Sequence, residues 1–482
     1  MKILSVASEV APLAKTGGLG DVCAALPRHL AALGHDVRVV LPFYSRVRDG
    51  RRRFATVFSD LAVTLHDKEV RFSVLSTTVP GSAVPMYLVR CPGLYDRPSI
   101  YTRDPDEHLR FIVLQWAALK ICQQLGWSPD VVHAHDWQTA LLPLILKTAL
   151  AWDRLFESTK TVLTIHNVGH QGAFAAGTLA DTGLSSVAHH FHQDQIKAGV
   201  WNSLLTGILY ADVVTAVSPT YAREIQTDEH GVGLGSFLRN RKETVRGILN
   251  GIDEAQWSPE RDAHIPYRYS RSDLSGKERN KAALLDALGL PYDPAVPVIG
   301  IVSRLAWQKG LDLCFEVLPR LLRSVPVRVV VLGRGEPRYE EFFGRLARAF
   351  PRGVAFRRGF SEPLAHLIEA GADLFLMPSR HEPCGLNQMY SQRYGTVPVV
   401  RRTGGLADTV RLWRGPGSGG TGFVFDDFDG QALWWALSYA LGTWGADREQ
   451  WREIQDNGMQ EDFSWTTRVG EYDRMYRQLV GR

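Results

Sequence analysis

Lys15 to Asp21 reads KTGGLGD and follows the apolar run ILSVASEV. A strand that ends in a lysine and two glycines and then opens a helix is suited to phosphate. Glycine lets backbone N–H groups approach an anion, the helix start carries partial positive charge, and Lys15 adds a full charge. Many strand-to-helix turns carry two glycines for geometry alone, so Gly17 and Gly18 do not decide the matter. A second basic segment, SRLAWQKG at Ser303 to Gly310, follows another strand-like run, VPVIGIV. Arg304 can fork onto two phosphate oxygens and Lys309 supplies a point charge. One cation at a helix start is ordinarily a solvated group; two in one strand-end loop, facing Lys15 across a cleft, make a diphosphate clamp.

SRHEPCGLNQ, Ser379 to Gln388, follows the strand-like ADLFLMP. Glu382 offers a carboxylate to sugar hydroxyls, and the N–H groups of Gly385 and Leu386 precede a helix start that can take phosphate. The plainer reading is helix capping by an acidic residue. TGGLADT, Thr403 to Thr409, is a further Gly-Gly turn with no more specificity than the first. His166 and Asn167 end the strand-like TVLTIHN, where both can hydrogen-bond a polar ligand. His133 and His135 alternate in HAHDW, and His189, His190 and His192 cluster in HHFH. Alternating histidines share a strand face. No carboxylate-rich partner set completes a metal site, so none is expected. HAHDW reads as a strand end that projects Asp136 into the cleft, and HHFH as polar surface. The dinucleotide Gly-x-Gly-x-x-Gly and the P-loop are both missing at the first strand, and there is no G-x-S-x-G elbow.

The elements that position these residues alternate along the chain. KILSVAS, DVRVVLP, PDVVHAHD, KTVLTIHN and ADVVTAVS read as buried strands in the first half. VPVIGIVS, VRVVVLG, ADLFLMPS and TVPVVRR do so in the second. Helical stretches lie between them, such as LGDVCAALPRHLAALG, where Leu26, Leu30 and Leu33 share a face. Pro27 and Pro319 predict a kink or a restarted helix. Such alternation implies parallel sheets covered on both faces. The fold class expected is therefore α/β, with two doubly wound Rossmann-like domains facing across a cleft. A polar stretch after NGIDEAQWSPE places the linker near Ile252 to Trp257. The domains expected are 1–252, 253–462 and a C-terminal segment 463–482, and RGPGSGGTGF is a loop.

With 482 residues, 45% hydrophobic and 22% charged, the chain has a globular profile with room for two or three domains. A net charge of +4 is too balanced to imply nucleic acid or an acidic membrane. Five scattered cysteines without C-x-x-C spacing read as reduced and intracellular, hence a cytoplasmic location. MKILSVASEV reads as a first strand, not a secretory signal, and no apolar run reaches 18 residues.

Taken together, KTGGLGD, HAHDW, IHNVGHQG, AVSPTYAREI, NGID, SRLAWQKG, SRHEPCGLNQ and RRTGGLADTV occur in an order that resembles the bacterial glycogen synthases and plant starch synthases. The resemblance covers nearly the whole chain. It implies the two-domain GT-B glycosyltransferase fold, ADP-glucose as donor, an α-1,4-glucan as acceptor and retention of configuration. It implies no cofactor, since ADP-glucose is a substrate, and no nucleic-acid or membrane partner. By the same resemblance Lys15, Gly17 and Gly18 match the loop at the donor diphosphate, and Arg304 and Lys309 the clamp on the leaving nucleotide. Glu382 matches the carboxylate on the donor glucose, Gly385 and Leu386 the backbone donors to phosphate, and His166 the residue near the reacting glucose. Asp21, Asp136, Asn167, Asn250 and Cys384 match the sugar and acceptor side, with Tyr95 at its border. FSWTTRVGEYDRMY resembles the helix that returns to the N-terminal domain.

The chain departs from the family pattern in SLLTG, with Thr206, where FLKAG with its Lys is common, and at His170, His381 and Ser361, where Tyr, Phe and Asn are common. Breaking a glycosyl–diphosphate bond builds negative charge on phosphate, which fixed cations and N–H groups stabilise without a metal. Only one carboxylate, Glu382, stands near the glucose, unlike the flanking pair of ordinary glycosidases. Two alternatives remain at this level: a UDP-sugar transferase or epimerase on the same fold, and a glucan-binding protein without catalysis.

Overall fold

The computed structural model describes residues 1–48 and 52–481. They divide into two units, Met1–Gly251 with Trp465–Arg482, and Ile252–Ser464.

The first unit contains β1 (Lys2–Val6), β2 (Asp36–Pro42), β3 (Ala55–Leu65), β4 (Lys68–Thr78), β5 (Pro85–Arg90), β6 (Val131–His135), β7 (Lys160–Ile165), β8 (Ala173–Ala175), β9 (Val200–Asn202), β10 (Val213–Ala216) and β11 (Val245–Gly247). Among the described residues, nine of these form one sheet in the order β11-β10-β7-β6-β1-β2-β5-β4-β3, and β8 pairs with β9. The central strands are parallel and read as near-continuous apolar runs because helices cover both faces. Against expectation the sheet is mixed: β4 runs antiparallel to both β3 and β5. The β3–β4 hairpin leaves many side chains exposed, so its residues lack the unbroken apolar run that marks a buried strand.

Helix Gly18–Ala32 follows β1 and continues through Pro27, as helix Cys314–Ser324 continues through Pro319; neither proline restarts its helix. Leu26 and Leu30 are buried on the first of these, whereas Leu33 lies past its last turn and is 47% exposed, so it does not share their packed face. Helix Trp465–Val480 belongs to this unit, although the whole of the second unit precedes it in the chain. Its Trp465, Val469, Tyr472 and Tyr476 are buried at helical spacing. The Tyr476 hydroxyl hydrogen-bonds His133 Nδ1 on β6 at 2.7 Å.

The second unit contains β12 (Val298–Leu305), β13 (Arg328–Gly335), β14 (Val354–Arg358), β15 (Leu374–Met377), β16 (Val397–Arg401) and β17 (Phe423–Phe425). All are parallel, in the order β14-β13-β12-β15-β16-β17. That is the doubly wound order, with its switch point between β12 and β15, where the crossovers change direction and ligands bind at the strand C-termini. In the first unit the equivalent point lies between β1 and β6.

Candidate active site

Each unit gathers predicted residues at its own switch point. In the first, the loop after β1 carries KTGGLGD. Lys15 Nζ donates to Asp21 Oδ1 at 2.7 Å, and both side chains are partly exposed. No side chain caps the helix that begins at Gly18, so its first N–H groups are not taken by a cap. The loop is held from beneath by Glu9, which was not singled out from sequence. Glu9 is buried and accepts from Thr16 N at 2.6 Å, Thr16 Oγ1 at 2.6 Å and the Tyr101 hydroxyl at 2.7 Å. Its signal was a lone acid inside a strand-like run, too common a feature to single out.

Asp136 ends β6 with φ 56° and ψ −171°, a backbone region that costs a non-glycine residue of the order of 1–3 kcal/mol. The conformation turns its carboxylate onto the next strand end: Oδ1 accepts from His166 N at 2.6 Å and from Asn167 N at 3.4 Å. Burial raises this carboxyl to about 7, against the pull of those two N–H groups. Asn167 in turn accepts from Gly169 N at 3.0 Å, which fixes the turn after β7.

His166 also meets His135, Nε2 to Nδ1, at 3.1 Å, and His135 Nε2 meets Ser5 Oγ at 3.3 Å. His133 Nε2 meets Thr164 Oγ1 at 2.6 Å. Burial lowers all three imidazoles, His135 to about 3, so they are neutral at physiological pH. The alternating histidines thus form a buried hydrogen-bonded set. Among the described residues no group of three His, Cys, Asp or Glu comes together as a metal site. In HHFH, His189 is exposed and His190 and His192 are half-buried.

Asn250 is buried and its Oδ1 finds no hydrogen-bond partner. Tyr95 requires a correction. It is fully buried and its hydroxyl donates to the Arg110 carbonyl at 2.8 Å, so it packs the core rather than bordering a site.

In the second unit Val302 and Ser303 of β12 and Leu376 and Met377 of β15 line a cavity of ≈ 130 Å³ at the switch point. Lys309, Glu382, Gly385 and Leu386 line it too. Glu382 is 5% exposed, and Lys309 Nζ donates to both of its oxygens, at 2.8 and 2.6 Å. Ser379 Oγ adds a third donor at 2.9 Å. Three donors and one cation offset the desolvation of this carboxylate. Ser303 Oγ is buried without a partner, and Asn387 Nδ2 holds the Val302 carbonyl at 2.8 Å. Neither residue was singled out from sequence. Arg304 is exposed at the end of β12 and does not line the cavity. Cys384 is buried, and its carbonyl accepts from Gln388 Nε2 at 3.1 Å.

The Gly404-Gly405 turn has a packing cause. A Cβ on Gly404 would lie 2.0 Å from the Glu382 carbonyl oxygen, and one on Gly405 would lie 1.9 Å from that of Cys384. Gly405 N donates to the Glu382 carbonyl at 3.0 Å. This turn therefore fixes the main chain that carries Glu382.

Residues 2–240 match the starch synthase catalytic domain model, and residues 291–457 match the model of group 1 glycosyl transferases. The glycogen synthase of Anaeromyxobacter sp. (strain Fw109-5) is 47% identical, with all of both chains covered. The glycogen synthase of Myxococcus xanthus (strain DK1622) is 44% identical over the same extent. This chain belongs to the glycogen synthase and starch synthase family. The catalytic domain of starch synthase IV from Arabidopsis thaliana, solved with ADP and acarbose, superposes with a TM-score of 0.93 at 34% identity, covering 100% of this chain and 99% of that one. Sucrose-phosphate synthase from Thermosynechococcus elongatus, at 17% identity and a TM-score of 0.61, shares the fold. Like that starch synthase, this family member has the two-domain α/β architecture of the GT-B fold.

Thr206 is buried and donates to the Asn202 carbonyl at 2.8 Å. One departure from the family pattern has a local explanation in this synthase-family chain. Ser361 caps helix Glu362–Gly371 by accepting from Leu364 N at 3.4 Å; serine and asparagine are comparable caps. No helix is long and apolar enough to cross a membrane among the described residues.

Proposed function

We propose that this protein is a retaining glucosyltransferase that moves glucose from ADP-glucose to the non-reducing end of an α-1,4-glucan such as glycogen. The observation that carries this reading is the cavity at the β12/β15 switch point, where Lys309 neutralises the buried Glu382 beside Gly385 and Leu386. An ammonium has three donors. Two lie on Glu382 here, leaving one for a phosphate oxygen. In the proposed reaction the bond from the glucose anomeric carbon to the diphosphate breaks, and its electron pair leaves with ADP. Lys309, Arg304 and the N–H groups of Gly385 and Leu386 stabilise that charge where it develops. Glu382 orients the glucose through its hydroxyls. The acceptor hydroxyl attacks from the face ADP leaves and passes its proton to the departing phosphate oxygen, and configuration is retained.

On the first unit, Lys15, Gly17 and Gly18 supply further phosphate donors. His166, Asp136, Asn167 and Asn250 meet the sugar, with Asp21 on the acceptor side. His166 is a neutral imidazole that donates or accepts without adding charge. The reading needs no metal and no cofactor, and places the enzyme in the cytoplasm with neither nucleic acid nor membrane as partner.

The test is nucleotide release with glycogen, comparing ADP-glucose with UDP-glucose in the presence of EDTA. ADP release with glucan growth is expected. Preference for UDP-glucose would reassign the donor. No release from either, with glycogen still bound, would turn the reading to a non-catalytic glucan-binding protein.

A further inference from the structure

The second unit holds a larger cavity, ≈ 420 Å³, that shares no lining residue with the one containing Lys309 and Glu382. It lies at the opposite edge of the sheet. Asp373, in its wall, immediately precedes β15 and joins the start of β12 through Val298 N, at 2.8 Å. The other walls come from helices Ser275–Leu288 and Arg448–Met459.

Donors dominate the lining. Trp451 is 3% exposed and its indole N–H has no acceptor; Arg452 Nη1 is buried and has none. Lys281 is 2% exposed and pairs with Asp373 Oδ2 at 2.9 Å, which leaves the rest of its ammonium without a hydrogen-bond acceptor. Buried donors without acceptors are uncommon in folded proteins and cost about 1–3 kcal/mol each. Here two of them, on Trp451 and Arg452, belong to side chains that line one cavity, beside the ion-paired Lys281.

The charges agree. Lys277, Lys281, Arg448 and Arg452 stand against Asp273, Glu278 and Asp373. The carboxylates are otherwise engaged: Asp373 with Val298 N and Lys281, Glu278 with the Tyr292 hydroxyl at 2.8 Å, and Asp273 with Ser275 N at 2.9 Å. Burial lowers the Lys277 amine to about 7 in spite of Asp373 and Glu369 nearby.

We propose that this cavity binds a compact oxyanion of the phosphate or phosphate-monoester class, held by the Trp451 indole N–H, Arg452 Nη1 and the Lys281 ammonium. The site is separate from the proposed donor site and does not depend on the proposed reaction.

The test is calorimetric titration of the full chain, at constant ionic strength, with inorganic phosphate and with glycerol phosphate. The parent carries Lys309→Gln with Glu382→Gln, which removes the ammonium from the other cavity without stranding its carboxylate. Saturable binding is expected in this parent. Arg452→Gln and Trp451→Phe should each weaken it about tenfold, the loss of one donor to a charged acceptor. Trp451→Phe keeps an aromatic ring and removes the donor, so it tests the site even if Arg452→Gln does not fold. Equal affinity for the two probes supports a site for free phosphate, and tighter binding of the ester a site for a phosphate monoester. Either variant binding phosphate as its parent does, or no saturable binding in the parent, would overturn the proposal.

Discussion

Asp136 shows how much one side chain organises. It accepts two backbone N–H groups from the end of β7, in a backbone conformation few residues adopt, and burial brings its carboxyl to about 7. The sign of the pH effect follows. The folded pKa lies above the unfolded one, so the folded state binds the extra proton between about 4 and 7. Asp136 then costs no stability below about 4 and its full cost above 7. Asp136→Asn keeps an acceptor for His166 N and removes the charge. It should raise the melting temperature more at pH 8 than at pH 5. Asp136→Ala leaves two N–H groups without an acceptor and should destabilise at both. Thermal melts at the two pH values check this, and an equal response of Asp136→Asn at both would show that the carboxyl does not titrate in this range.

At the same scale, Lys309→Ala should lower turnover by orders of magnitude under the proposed function. It also strands a buried carboxylate, so it should cost stability, at most about 3–5 kcal/mol and less because the Lys309 side chain is 21% exposed. Lys309→Gln with Glu382→Gln removes both charges and should recover much of the stability and none of the activity. Activity assays beside melts separate the two effects.

Among the elements, the glycine turns divide into two kinds. Gly17 has φ −161°, and a Cβ there meets nothing within 4 Å. Gly17→Ala should therefore fold with stability within about 0.5 kcal/mol of the parent. Gly404 has φ 43° and no room beside the Glu382 carbonyl, so Gly404→Ala should destabilise by several kcal/mol. If denaturant melts give the two the same loss, the packing explanation of the second turn is wrong.

In sequence the two turns look alike, because local spelling does not say what packs against a glycine. The strands were legible for a related reason. VVHAH and VPVIGIV are buried on both faces, and that constraint is written in the residues themselves. The β3–β4 hairpin is half exposed, so tertiary pairing rather than composition specifies it. The site residues that sequence singled out lie at strand ends, where the alternating pattern already pointed. Glu9, Ser303 and Asn387 escaped because each acts through contacts made only by the folded chain. Tyr95 was misplaced because a resemblance carries no information on burial.

Over the whole molecule, the second unit is an insertion. Its ends meet: Ile252 N donates to the Phe463 carbonyl at 2.8 Å, and Ile252 bridges Ser464. A fragment of residues 252–464 should therefore fold alone, with a cooperative melt. The first unit should not tolerate loss of residues 465–482. Their helix buries Trp465, Val469, Tyr472 and Tyr476, worth about 1.5–3 kcal/mol for each large apolar side chain, comparable in sum to the whole stability of a domain. Circular dichroism and protease resistance of the truncated chain check this.

The late helix also orders events during synthesis. His133 is made early, yet its partner Tyr476 is 343 residues downstream. A nascent chain can complete the inserted unit first, whereas the first unit closes its core only once helix Trp465–Val480 has been made. The half that is begun first is therefore the half that is finished second.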